Sequence, residues 1–370
     1  MRPRRLRTKI GRLGRRTVAL AVVLSIALSS SPAAADMASP ELDKYEQPVD
    51  EAIERALLYL AQQQQKDGSF KGGKGGNTAI TSLAVMAFLA KGYTPGTGPY
   101  GKVINRGIDF VAGSQHRSGL LLRSGHGKGS MYSHGIATLM LSEISGMVDP
   151  ERQKRVDKAL SEALKLILGA QGVRKRNKKD QGGWRYNHDS DDADISCTGW
   201  QLMALRSARS NGAMVPKQSI DKAVQYVLRC RSEGGGFCYQ SATTPGKANG
   251  PGLGRTGTAL LCLELLGYHG DKITLDAGKW VLRSIGYGGS KKRRVNDRHF
   301  YYATYYASQG MFQLGDEYWV KFAEVMYPQL LGTQQKDGSW GNSQHGPTYA
   351  TSMAVLAMSV VYRQLPIYQR

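Results

Sequence analysis

The sequence predicts an all-α chain of six helix pairs, and three observations predict it. A Gly-rich turn ending in a large apolar residue recurs at Phe70, Leu121, Trp184, Phe237, Tyr287 and Trp340, in steps of 51, 63, 53, 50 and 53 residues. A steady period of this size marks a repeat architecture. An amphipathic helix precedes each turn. A helix apolar nearly all round follows it, and such a helix must be buried on both sides.

The first outer helix reads from Val49, Ile53, Ala56, Leu57 and Leu60, with Glu51, Glu54 and Arg55 on the opposite face and Pro48 in the first turn. Residues 36–47 read as a linker before it. The turn "QQKDGSF" (64–70) leads into the first inner helix, "TAITSLAVMAFLA" (78–90). Outer helices are expected near 103–115, 153–171, 218–230, 274–284 and 316–335. Inner helices include "TGTALLCLELLG" (256–267) and "YATSMAVLAMSVV" (349–361), the last one following the turn "QQKDGSW" (334–340). Gly92, Gly146, Gly212, Gly267 and Gly315 stand where inner helices end. Six buried helices inside six outer ones could close into a ring, which removes the ends that an open solenoid must cap. An open superhelix of helix pairs is the alternative.

The N-terminus sets the compartment. Among the 370 residues, Met1 to Arg16 carry eight basic residues and no acids. The apolar run "TVALAVVLSIAL" (17–28) follows, then Ala33 and Ala35 in Ala-x-Ala spacing. This reads as a signal peptide over residues 1–35. The apolar run is short of the ~20 residues that a span needs; an uncleaved anchor is the alternative. The protein is therefore expected to be exported, periplasmic or extracellular, with a single domain over 48–370 and no transmembrane span in the mature chain. Without residues 1–35 the net charge of +21 falls to +13. Much of the excess sits in "RKRNKK" (174–179) and "KKRR" (291–294). Such runs are either solvated loops or contacts to an anionic surface. Export argues against a nucleic-acid partner.

Of the four cysteines, Cys197 and Cys262 fall in apolar helices and read as small hydrophobes. Cys230 and Cys238 flank a Gly-rich turn and could pair in an oxidising compartment. No Cys-x-x-Cys clip is present, so structural zinc is not expected.

A glutamine ending the outer helix, then Asp-Gly-Ser-aromatic, then a Thr-Ala start to the inner helix resembles the prenyltransferase and squalene-oxidase repeat. That repeat belongs to squalene and hopene cyclases and to protein prenyltransferase β-subunits. The similarity covers about residues 48–362 and is strongest in the first and last units. It implies an (α/α)6 toroid, six inner and six outer helices, with the inner-helix N-termini surrounding a central apolar cavity. In such a motif the aromatic packs against the neighbouring repeat, and the glutamine can satisfy carbonyls left open at the helix end. "MYSHGIATLMLSE", "GGWRY" and "YRQLPIYQR" are further similar to an exported bacterial branch of the superfamily.

The stretch "YNHDSDDADISCTGWQ" (186–201) poses the functional question. Asp189, Asp191 and Asp192 spell Asp-x-Asp-Asp, which class II terpene cyclases use to protonate an alkene or epoxide. Clustered buried carboxyls can hold such a proton, because like charges resist joint ionisation. The register differs, however. In the cyclases the motif runs straight into Thr-Ala, here Thr198-Gly199. Counting back, the family's first aspartate falls on Asp194, the proton donor on Ser196 and the last on Cys197. A serine cannot serve as that acid, and there is no room for the cyclases' second α-barrel domain. The zinc site of the prenyltransferases is not expected either, because Tyr302 stands where their histidine ligand should be. Asp189, Asp191, Asp192 and Asp194 could instead form a loose Ca²⁺ site, although Ala193 and Trp200 break the EF-hand pattern. A solvated acidic loop balanced by "RKRNKK" is the plainer reading.

In a toroid, Tyr132, His134, Trp200, Arg255, Tyr301, Tyr302, Tyr305, His345 and Tyr349 fall near inner-helix N-termini and face the cavity. They could line a pocket for an isoprenoid chain or simply fill the centre. His134 and Glu143 stand ~13 Å apart along a helix and do not pair. Three functions follow. The first is a toroid that binds an apolar ligand, with an isoprenoid as the candidate, and requires no cofactor. The second is a cyclase using Asp189 to Asp192, and the third an envelope protein-interaction scaffold.

Overall fold

The computed structural model describes residues 39–72, 77–123, 129–241, 250–289, 293–341 and 343–368. The proposed signal peptide lies outside them. The outer helices are α1 (Pro40–Gln62), α3 (Gly101–Ala112), α5 (Pro150–Gly172), α7 (Lys217–Arg229), α9 (Lys272–Ser284) and α11 (Asp316–Leu331). The inner helices are α2 (Thr78–Ala90), α4 (Ser130–Glu143), α6 (Ile195–Ser210), α8 (Leu253–Leu265), α10 (Phe300–Leu314) and α12 (Pro347–Met358). Each inner helix packs on the next, α12 packs back on α2, and α11 packs on α1. The architecture is a closed (α/α)6 toroid, not an open superhelix. No helix among the described residues is long and apolar enough to cross a membrane.

The inner helices are buried on every face, as their composition requires; in α2 twelve of the thirteen residues are buried. The outer helices bury one stripe, such as Ile104, Ile108 and Val111 of α3. α1 begins at Pro40, eight residues before Pro48, inside the stretch read as a linker. Pro40 and the acidic Glu41 and Asp43 suit a first turn. The early turns are anchored where the Tyr45 ring meets Tyr327 of α11 at 5.5 Å. Pro48 is therefore inside the helix, not at its start.

The repeated motif is a staple between neighbouring units. The glutamine amide donates twice, once to the turn's glycine carbonyl and once to the next outer helix. Gln64 reaches Gly68 (3.1 Å) and Val103 (2.8 Å). Gln115 reaches Gly119 (3.0 Å) and Ala159 (2.7 Å). Gln171 reaches Gly182 (2.9 Å) and Ser219 (2.8 Å). Gln334 reaches Gly338 (3.0 Å) and Ala52 of α1 (2.8 Å), so the last unit is stapled to the first. The indoles add bonds to outer-helix carbonyls: Trp184 Nε1 donates to Ile167, and Trp340 Nε1 donates to Leu330, whose carbonyl also accepts from the Thr333 N–H. The turn's own N–H is taken by the inner helix, Phe70 by Thr81, Trp184 by Thr198, Phe237 by Thr256 and Trp340 by Thr351.

His134 does the same work as these threonines, which corrects its place in the cavity lining. Its Nδ1 accepts from the Leu121 N–H (3.1 Å), and its Nε2 donates to the Ala163 carbonyl (3.1 Å). The ring is wholly buried, and burial lowers its pKa to about 4 against the carbonyl's opposing pull. All four cysteines are buried thiols, with the Cys238 N–H donating to the Cys230 carbonyl at 2.8 Å.

Candidate functional site

The inner-helix N-termini meet at one mouth of the ring, and the acidic stretch leads into it through α6. Asp194 is the N-cap of α6: its carboxylate accepts from the backbone N–H groups of Ser196 and Cys197, both at 2.9 Å, and is fully buried. Burial raises its pKa, opposed by those N–H groups and by Arg185. Arg185 Nη1 lies 3.0 Å from Asp194, and Arg185 Nε lies 3.1 Å from Asp192. The guanidinium also covers the Tyr186 ring at 4.2 Å and the Tyr239 ring at 5.2 Å. Tyr186 and Tyr239 hydrogen-bond through their hydroxyls, and Arg185 donates to Tyr239 at 2.8 Å.

The rest of the Asp-x-Asp-Asp triplet faces away from this cluster. Asp191 is bound by Arg176, side chain to side chain (2.8 Å) and through its carbonyl (2.8 Å). Lys175 folds back onto the Ser190 carbonyl at 2.8 Å. Asp189 is exposed. The basic run thus neutralises the loop from one side and Arg185 from the other. Among the described residues no group of three or more His, Cys, Asp or Glu side chains is placed to hold a metal ion. Melting curves in millimolar Ca²⁺ and in EDTA at matched ionic strength are accordingly expected to coincide. A melting temperature that climbs with Ca²⁺, and does so no longer in Asp189→Asn/Asp191→Asn, would restore the cation site.

Three layers of side chains fill the ring from this mouth downward. In the first, the Tyr302 hydroxyl of α10 donates to Ser196 Oγ of α6 (3.0 Å) and lies 2.8 Å from Thr258 Oγ1 of α8. The two positions where the resemblance places a catalytic acid and a zinc ligand are thus hydrogen-bonded to each other as neutral hydroxyls. Tyr132, Tyr302 and Tyr349 remain only partly buried, although they stand inside the ring. Burial pushes the pKa of each upward, so all three keep their protons at neutral pH.

In the second layer Trp200 stacks on Tyr305 at 5.8 Å and meets Tyr306 edge-on at 5.2 Å; all three rings are at most 2 % exposed. The third layer comes from the chain's end. The tail after α12 turns back into the ring, and Tyr368 shares a hydrogen bond with Tyr305 at 2.8 Å. The Ile367 N–H donates to Glu143 (3.0 Å), and Arg206 donates to the Ile367 carbonyl (2.9 Å). The gap left beside this plug has a volume of ≈ 10 Å³, room for about one water. What remains at the N-terminal mouth is a shallow bowl in which Tyr132, Tyr302 and Tyr349 keep partial exposure above the buried Trp200, Tyr305 and Tyr306, with Tyr368 sealing the ring below.

Three further residues fall outside the bowl or on its rim. The Tyr301 hydroxyl donates to the Gly341 carbonyl at 2.6 Å and braces the last turn. Arg255 lies over the Tyr239 ring at 5.3 Å on the rim. His345 meets Tyr349 edge-on at 4.9 Å. Sequence reasoning missed Tyr186, Tyr239, Tyr306 and Tyr368. The last had a signal: "LPIY" (365–368) is an apolar segment after the final inner helix, and such a segment needs a place to be buried.

Solved structures share this architecture. The GH76A α-1,6-mannanase from Salegentibacter sp. superposes with a TM-score of 0.61 at 13% identity, covering 85% of this chain and 99% of that one. A family 76 glycoside hydrolase from a bovine Bacteroides thetaiotaomicron strain gives 0.58 at 10% identity, covering 86% and 78%. The type II terpene cyclase MstE from Scytonema, solved with its substrate geranylgeranyl dihydroxybenzoate, gives 0.53 at 13% identity, covering 88% and 99%. No family model matches the chain, and no curated protein matches it by sequence. The likeness is therefore one of fold, the α/α toroid, which serves both terpenoid and glycan chemistry.

Proposed function

We propose that this chain is an exported toroid that binds an apolar, isoprenoid-type molecule in its bowl without transforming it. The observation that carries the reading is the Tyr302–Ser196 hydrogen bond at the ring's centre. It puts neutral hydroxyls where cyclisation needs a strong acid, while Asp191 and Asp192 are tied to arginines at the rim. A floor of stacked aromatics beneath three proton-bearing tyrosines suits a chain with apolar carbons and an oxygen-bearing end. The isoprenoid substrate of MstE is the ligand class to try first. Organic extraction of the purified protein followed by mass spectrometry is expected to release such a molecule. Tyr302→Phe, which removes the hydroxyl that holds Ser196 at the centre of the bowl, should weaken rebinding by about three- to tenfold, since a hydrogen bond contributes about 1 kcal/mol. An empty extract, together with no saturable uptake of geranylgeraniol, overturns the reading. The sealed floor favours a second reading, an envelope scaffold that works through its outer surface. Co-purification of a protein partner with an empty bowl would support it.

A further inference from the structure

The seam where the ring closes carries a second concavity. A groove of ≈ 530 Å³ runs between α1 and α11 and is lined by Tyr45, Tyr287, Arg293, Arg294, Glu324 and Pro328, among others. Its upper edge includes Tyr287, Arg293 and Arg294, from the described residues between α9 and α10. That edge is held firmly: Gln329 of α11 donates to the Val295 carbonyl (3.0 Å) and accepts from its N–H (2.9 Å), and the Arg294 N–H donates to Ile285 (3.1 Å). Arg293 lies over the Tyr287 ring at 4.2 Å, and the Tyr287 hydroxyl donates to Glu324 at 3.1 Å. Among the described lining residues Glu324 is the single carboxylate, and one of its oxygens accepts from that phenol. Neither arginine forms an ion pair among the described residues.

We propose that this groove is a binding site for a small phosphate monoester carrying a planar ring. Two guanidiniums lining one groove suit a dianionic phosphate, because each offers a rigid fork of donors. The Tyr45 and Tyr287 rings and the Pro328 face offer apolar surface for the ring beside it. The volume falls within the roughly 300–1,000 Å³ of small-molecule sites, and a concave groove suits a free molecule better than a flat membrane surface. The site is separate from the bowl and does not depend on what the bowl holds.

Isothermal titration of the purified protein with phenyl phosphate tests this, at low and at moderate salt. Saturable 1:1 binding is expected, weakened several-fold by added salt. Inorganic phosphate should bind at least several-fold more weakly, and benzyl alcohol not at all. Arg293→Gln/Arg294→Gln should weaken phenyl phosphate by at least tenfold. Glu324→Gln removes the opposing charge and should tighten binding, a gain that misfolding could not produce. Absence of saturable binding at millimolar phenyl phosphate overturns the site. So does affinity unchanged in the double variant, or binding only to vesicles containing an anionic lipid.

Discussion

Gly338→Ala is expected to destabilise the folded chain by about 3 kcal/mol and to lower its melting temperature by roughly 4–5 °C. Gly338 sits at φ +86°, where a side chain is disfavoured by about 1 kcal/mol or more. An added Cβ would also lie 2.4 Å from the Arg55 carbonyl of α1, a backbone atom that cannot swing aside. The same turn carries the Gln334 staple to Ala52, so the substitution pries apart the first and last units. Gly267→Ala is the control. It shares the conformation, at φ +91°, but meets nothing within 4 Å, and should cost only about 1 kcal/mol. Equal losses in thermal melts of the two variants would show that the seam bears no special load.

Glu143→Gln is expected to change the pH dependence of stability by about 3 kcal/mol. Burial raises the Glu143 carboxyl from 4.5 to about 7, against the Ser207 hydroxyl, the Ile367 N–H and Arg206. A carboxyl raised on folding holds its proton more tightly in the folded chain. Its contribution is therefore full below pH 4.5 and is lost as the pH rises to 7. His134 acts in the opposite sense. Burial depresses it from 6.5 to about 4, so its contribution is full above pH 6.5 and is lost as the pH falls to 4. At 1.36 kcal/mol per pH unit each effect amounts to about 3 kcal/mol, and across pH 4.5–7 they offset each other. Removing Glu143 exposes the histidine slope. The variant should lose about 3 kcal/mol more than the parent between pH 7.5 and 4.5 in denaturant titrations. Superimposable pH profiles would mean that the Glu143 carboxyl is solvated in the folded chain.

The six pairs were legible because burial on all faces leaves its mark in composition, and because three of the four staples keep Gln six residues and Gly two residues before the large apolar residue of the turn. The start of α1 was not legible. Pro48 reads locally as a first turn, whereas packing of Tyr45 on Tyr327, 282 residues apart in sequence, carries the helix back to Pro40. His134 shows the same limit: a polar aromatic near a helix N-terminus reads as a cavity residue until its two backbone partners are known. The register count that placed Ser196 at the proton donor's position depended on local sequence alone, and Ser196 does stand in the ring's first layer. The filling beneath it depends on Tyr368 returning from the far end of the chain; the apolar "LPIY" segment announces its burial but not its partner, Tyr305.

Equilibrium dialysis of geranylgeraniol against the purified protein, followed by chemical analysis of the bound material, tests the bowl most directly. One molecule bound per chain and recovered unchanged, with weaker retention by Tyr302→Phe, is the expected result. A cyclised product abolished by Asp191→Asn would contradict it, and so would retention that is the same with and without the Tyr302 hydroxyl.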